Sequence, residues 1–324
     1  MILAFIVSFI VTFLCVPVLI RKFKEAGITG KDVNKAGKPD VPEMGGMAII
    51  AGFAAGAFFA IAVTTLMHSH LIGESSFIEF SNLAELFAAI STILIVTIIG
   101  IFDDLVSIRH SVKALLPLLT ALPLVAVAAG HPYITIPFLG QLYLPIIYPL
   151  ILIPLAVAVV SNLTNMLAGF NGLEGGMGLM ACFSLGIIAF NKGSMEAAVL
   201  LFSMSAALFA FILFNKYPAK ILPGDVGTLS IGACIASALI IGNFETAGVV
   251  VMIPYFLDFV IKIKNGFPKE LDFIKIKEGK LYSKKVVGLP SLIMSLTKGI
   301  SETRLVMYLV SIQFVFGVLA ILLF

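Results

Sequence analysis

The chain has 324 residues, 60% of them hydrophobic and only 12% charged, against roughly 25% charged in an ordinary soluble domain. With a mean hydropathy of +1.11, its few polar side chains could not cover a water-soluble fold of this size, and disordered chains show the opposite bias, so both classes are excluded. A net charge of +3 is too small to point to a nucleic-acid partner.

A membrane helix needs about 20 mostly apolar residues to cross ~30 Å of hydrocarbon. Such runs occur in chain order at 1–20, 45–67, 86–102, 114–130, 143–161, 174–190, 195–214, 226–242, 246–263 and 305–324. The first lacks a basic start and a small-residue cleavage site, so it reads as a span rather than a signal peptide. The expected fold is therefore all-α: a polytopic membrane protein of about ten spans forming a single membrane-embedded domain, 1–324. Of the 21 Lys and Arg, 20 fall in the odd-numbered connections and only Lys192 in an even-numbered one. That asymmetry places the odd connections in the cytoplasm and both termini outside. The largest cytoplasmic connection, 262–304, is basic up to Lys285. Its apolar stretch Val286–Leu296 is too short to span and reads as an interfacial or re-entrant helix. Cys15, Cys182 and Cys234 sit inside apolar runs with no metal or disulfide spacing, as small packing residues do.

The polar residues with chemical potential border the cytoplasmic face. After the first span come Lys31, Asn34 and Glu43, in Gly30–Lys35 and Pro42–Gly46. The plain alternative for that stretch is a basic anchor to anionic headgroups. Asp103 and Asp104 end the third span and Lys113 opens the fourth. Acids at a helix C-terminus oppose the macrodipole, and this cost favours a function over a solvated pair. Neighbouring helical residues point about 100° apart, so the two carboxylates need not face one ligand. Asn165, Asn171, Gly172 and Glu174 break a hydrophobic stretch after the fifth span, where amides among glycine turns could bind a base or a cation. Asp225 follows a Pro-Gly turn before the eighth span, where helix capping is the plain alternative. Taken jointly, carboxylate and amide oxygens suit a hard divalent ion such as Mg²⁺, and lysines suit a diphosphate. The pattern points to phosphoryl transfer from a cytoplasmic donor to an acceptor dissolved in the bilayer.

Five segments in order carry a resemblance: GKDVNK with PEMGG (30–46), DDLVSIRHSVKALLP (103–117), NLTNMLAGFNGLEGG (162–176), FNKYPAKILPGDVGT (214–228) and IKIKEGKLYSK (274–284). The chain resembles the polyprenyl-phosphate N-acetylhexosamine-1-phosphate transferase superfamily over nearly its whole length. The match is closest to the eukaryotic and archaeal branch that acts on dolichyl phosphate. The resemblance implies attack of dolichyl phosphate on the β-phosphorus of UDP-GlcNAc, giving GlcNAc-diphosphate-dolichol and UMP. It further implies that Asn165 and Asp225 hold the metal (Mg²⁺, with Mn²⁺ as an alternative), that Lys113 contacts the diphosphate, and that Asn171 with Gly172 holds uracil. Asp103 and Asp104 match an acidic pair whose role stays open among orienting Lys113, the metal or the acceptor. Lys31, Asn34, Glu43, Glu174 and Lys269 complete the expected substrate-binding set.

Bacterial relatives carry Asp where this chain has Ala168 and Asn171, and cell-wall members carry a histidine motif in the last cytoplasmic connection. None of the four histidines here lies beyond His131, which argues against a muramoyl-pentapeptide donor. The eukaryotic Arg/His cluster is replaced by Phe267-Pro268-Lys269-Glu270. The implied partners are a UDP-sugar, a polyprenyl or dolichyl phosphate and membrane lipids, with a homodimer left open. The expected location is the plasma membrane of an archaeon or the endoplasmic reticulum of a eukaryote. The competing readings are the same chemistry with another UDP-N-acetylhexosamine or with undecaprenyl phosphate, and a secondary transporter or flippase. A transporter needs ionisable groups near mid-membrane, and Asp258 is the nearest candidate.

Overall fold

The structure, a computed structural model, describes residues 1–35, 37–68, 82–106, 108–136, 140–268 and 273–324, with backbone alone at 68, 110, 111 and 134–136. Apolar runs that cannot leave backbone groups unpaired in lipid become helices. In chain order these are α1 (Ile2–Ala26), α2 (Gly46–His68), α3 (Leu83–Val106), α4 (His110–Thr120), α5 (Leu122–Ala126), α6 (Ile153–Met166), α7 (Leu173–Asn191), α8 (Met195–Asn215), α9 (Gly224–Gly242), α10 (Glu245–Val251), α11 (Ile253–Lys264), α12 (Leu289–Leu296) and α13 (Glu302–Leu323). A π-helical turn, Tyr148–Leu152, runs into α6. Among the described residues, eight helices are long and apolar enough to cross a membrane, which makes this an integral membrane protein.

Two of the ten expected runs are not single long helices. The run 114–130 forms only the short apolar helix Val112–Ala126, interrupted at Ala121 between Pro117 and Pro123. The run 246–263 is α10 and α11, bent by 62°. Pro254, near the start of α11, has no N–H to continue the ladder of α10, so the break falls there. The all-α expectation also needs an addition. Three antiparallel ribbons occupy the connections: β1 (Thr29–Lys31) with β2 (Asp40–Pro42), β3 (Tyr133–Ile136) with β4 (Gly140–Tyr143), and β5 (Ile274–Lys277) with β6 (Lys280–Ser283). The basic connection after α11 thus holds β5 and β6, followed by α12 where an apolar helix is expected.

The central helix is α9, which packs against α3, α6, α8 and α2. Its side chains are small, with Gly227, Ser230, Gly232, Ala233, Ala236, Ser237 and Ala238 buried or at close contacts. Lipid offers no hydrophobic drive between helices, so close backbone approach and interhelical hydrogen bonds hold them. A Cβ on Gly100 of α3 would lie 2.5 Å from Val226 Cα. Thr97 and Ser230 hydroxyls meet at 2.8 Å, and Thr164 Oγ1 donates to Thr228 O at 2.9 Å. These contacts fix α3, α6 and α9 in register. In consequence the C-terminal ends of α3 and α6 meet the N-terminal end of α9.

Candidate functional site

At that junction three side-chain oxygens converge on one cation. Lys113 Nζ, near the start of α4, pairs with Asp103 of α3 and with Asp225 in the first turn of α9. Asn165, at the end of α6, completes the cradle. With its amide oriented to match its neighbours, Oδ1 accepts from Lys113 Nζ at 3.0 Å, and Nδ2 donates to Asp225 Oδ1 at 2.9 Å and Thr228 Oγ1 at 3.1 Å. Asn165 and Asp225, 60 positions apart in sequence, therefore touch. The cradle offers two carboxylates and an amide. Among the described residues no three His, Cys, Asp or Glu side chains gather as a metal cluster of their own. Two carboxylates and an amide do fit a hard divalent ion that keeps several waters and shares oxygens with phosphate. The ammonium seated among them shows that the pocket is shaped for positive charge.

The adjacent acids separate, as the helical angle requires. Asp103 turns into the cradle and also accepts from the Ile108 N–H at 2.7 Å. Asp104 turns the other way and accepts from the backbone N–H groups of Asp225 (2.8 Å) and Val226 (3.1 Å). It thereby caps α9 from α3, supplying an acceptor where Pro223 at the N-cap cannot. Asp104→Ala leaves these two donors unanswered and should destabilise the protein by roughly 1–3 kcal/mol. The chain has no Trp, and Cys182 and Cys234 are buried, so thiol exposure on heating reads this loss.

Beside the cradle opens a cavity of about 270 Å³. Lys31, Glu43, Asp104, Asn165, Asn171, Glu174 and Asp225 line it, joined by Asp32, Asn215, Leu222 and Thr228. Burial first, and then the charge of Asp225, hold the Glu43 carboxyl above its ordinary value. Lys31 Nζ also pairs with Asp40 at 2.8 Å on the exposed side. Glu174 and Asn34 act on the loop between α6 and α7. Glu174 accepts from the Gly169 N–H, and Asn34 Nδ2 donates to Gly169 O, both at 2.6 Å. Gly172 does not line the cavity. It takes φ +87°, a conformation that favours glycine, and its N–H donates to Asn215 Oδ1 at 3.1 Å. Lys269 lies outside the described residues.

Several residues at this site are not singled out by sequence reasoning: Asp32, Lys35, Asn215, Thr228 and Glu302. Asp32 and Lys35 stand in a run that also reads as a headgroup anchor. Glu302 opens α13 and reads as an ordinary acid at a helix start. The available signal is its place: an acid before an apolar run, on the side of the membrane where the other acids gather. Asp258 is fully buried and pairs with Lys262 at 2.6 Å. It also accepts from the Leu289 N–H at 2.7 Å, while Lys262 donates to Met166 O. It thus ties α11 to α12 and, through Lys262, to the end of α6.

A profile of the family described as Glycosyl transferase family 4 matches residues 86–243. A protein of Saccharolobus solfataricus provisionally named UDP-N-acetylglucosamine–dolichyl-phosphate N-acetylglucosaminephosphotransferase is 36% identical, over 99% of this chain and 96% of its own length. The protein with that name from Dictyostelium discoideum is 26% identical over 80% of this chain and 70% of its own. A phospho-N-acetylmuramoyl-pentapeptide-transferase of Streptococcus thermophilus is 28% identical over 78% and 79%. Matched by the Saccharolobus solfataricus protein at 36% identity over 99% of its length, with the acids, amide and lysine of its polar segments gathered at one helix junction, the chain belongs to glycosyl transferase family 4, among the polyprenyl-phosphate N-acetylhexosamine-1-phosphate transferases.

Proposed function

We propose that the protein transfers N-acetylglucosamine-1-phosphate from UDP-GlcNAc to dolichyl phosphate, releasing UMP. The observation that carries the chemistry is the convergence of Asp103, Asn165 and Asp225 on one cationic position beside a cavity at the bundle's end. Donor and acceptor are supported by the names of the relatives that match over the greatest length.

The acceptor oxygen attacks the β-phosphorus, and the bond from that phosphorus to the oxygen bridging to UMP breaks. No strong base is required: a phosphomonoester loses its second proton near a pKa of about 6, so the acceptor is largely dianionic at neutral pH. The barrier is repulsion between two anions. Asn165 and Asp225 would hold a divalent cation, Mg²⁺ by the chemistry of the donor set. Bound there, such an ion neutralises charge on the diphosphate and on the leaving phosphate. Lys113 supplies a second positive charge to the same oxygens. Asp103 orients Lys113, and Asp104 keeps the first turn of α9, and with it Asp225, in place. The site faces the cytoplasm, with about ten membrane passes and both termini outside, and the distribution of Lys and Arg supports this orientation.

Purified protein given UDP-GlcNAc, UDP-GalNAc or UDP-MurNAc-pentapeptide, each with dolichyl or undecaprenyl phosphate, tests the assignment. UMP release is expected with UDP-GlcNAc and dolichyl phosphate and dependent on added Mg²⁺. No UMP release with any pair would refute the reading. Preference for another pair would keep the chemistry and change the substrate.

A further inference from the structure

The loop that carries Asn171 is held by a closed ring of hydrogen bonds. The Asn171 N–H donates to Glu302 Oε1 at 2.7 Å, and Glu302 Oε2 pairs with Lys35. Lys35 Nζ donates to Asp32 Oδ1 at 3.0 Å, and Asp32 Oδ2 accepts from Asn171 Nδ2 at 3.0 Å. Asp32, Asn171 and Glu302 are buried, and the ammonium of Lys35 also stands 4.9 Å from the ring centre of Tyr217. Paired with Lys35, Asp32 is a carboxylate and can only accept. That dictates the Asn171 amide: its nitrogen faces Asp32, and its oxygen faces away.

Asn171 is 5% exposed and lines the cavity. Its Oδ1 has no protein partner among the described residues. An accessible amide oxygen on an otherwise buried side chain that lines a cavity points to a ligand that brings an N–H or O–H donor.

Resting on the reading that the donor is a uridine nucleotide, we propose that Asp32 is a positioning residue for base selectivity. By fixing the Asn171 amide it offers the base an acceptor alone. Uracil presents N3–H at its pairing edge and satisfies that acceptor. Cytosine presents a bare lone pair at N3, so two acceptors would face each other. The amide cannot turn to suit cytosine, because its oxygen would then face the Asp32 carboxylate. Lys35 balances the charge of the two acids, and Glu302 holds the loop backbone.

The test compares UMP and CMP binding by calorimetry on the purified full chain. The wild-type protein should favour UMP by roughly tenfold to a hundredfold. Asp32→Asn and Asp32→Ser place a side chain that donates as well as accepts, so the amide can take either orientation, and the UMP:CMP ratio should fall to within about threefold. Glu302→Gln loosens the loop backbone and leaves Asp32 paired with Lys35 and accepting from the amide, so it should weaken both nucleotides and keep the ratio. An unchanged ratio in whichever Asp32 variants fold overturns the proposal. So does a ratio that collapses equally in Glu302→Gln, which would mark a general loss of loop order. A wild-type protein that binds neither nucleotide and releases no UMP would instead remove the uridine reading itself.

Discussion

Asp225→Ala is expected to lower UMP release by roughly 10²–10³ or more while the protein keeps its fold. Two features make this separation clean. The carboxylate of Asp225 meets Lys113 and Asn165 and so belongs to the cradle. The cap on α9 comes from Asp104, which binds the backbone N–H groups of Asp225 and Val226 and not the Asp225 side chain. Removing the Asp225 carboxylate therefore takes one of the two acids from the cation position and leaves the helix start intact. Binding of Mn²⁺, used as a spectroscopic probe, should weaken in parallel with activity. Thermal unfolding should move by less than in Asp104→Ala. Near-wild-type transfer by Asp225→Ala at saturating Mg²⁺ would show that the cradle is not where phosphorus is transferred. Asn165→Ala should follow the same course, since its amide completes the same set of oxygens.

Much of this site is legible in the amino-acid sequence because charge is conspicuous in so apolar a chain. Asp103, Lys113 and Asp225 stand at span ends on one side, and the Lys/Arg asymmetry says which ends share a face. What adjacency cannot say is which of Asp103 and Asp104 turns inward. The angle between neighbours on α3 guarantees that they diverge, and only the packing of α3 against α9 decides which caps and which joins the cradle. Glu302 is hidden for a related reason: an acid at the start of a helix has an ordinary local explanation, and its bond to Asn171 spans 131 positions. The ribbons escape notice because strands of three or four residues, such as Thr29–Lys31, are too short to show alternation. The break between α10 and α11 does have a visible cause in Pro254, whereas an apolar run counted only by length reads straight through it.

Lys113→Met should abolish transfer and yet make the resting protein bind a divalent cation more tightly. The Lys113 ammonium is seated among Asp103, Asn165 and Asp225. A divalent ion held by Asn165 and Asp225 would compete with that ammonium for the same oxygens. Methionine keeps the length and apolar stem of lysine while removing its charge, so the cradle's oxygens are released with little change in packing. Titration of nucleotide-free protein with Mn²⁺, followed by electron paramagnetic resonance, should give an affinity higher by roughly tenfold, or about 1.4 kcal/mol. UMP release should fall, because the charge that Lys113 would lend to the diphosphate is gone. Gain of binding with loss of turnover is the signature of one cation exchanging for another. On this reading a donor diphosphate would draw Lys113 out of the cradle in the wild-type protein, and metal and nucleotide should then bind cooperatively. A Lys113→Met protein that binds Mn²⁺ no more tightly than wild type would place the ion and the ammonium at separate positions, and the exchange would not occur.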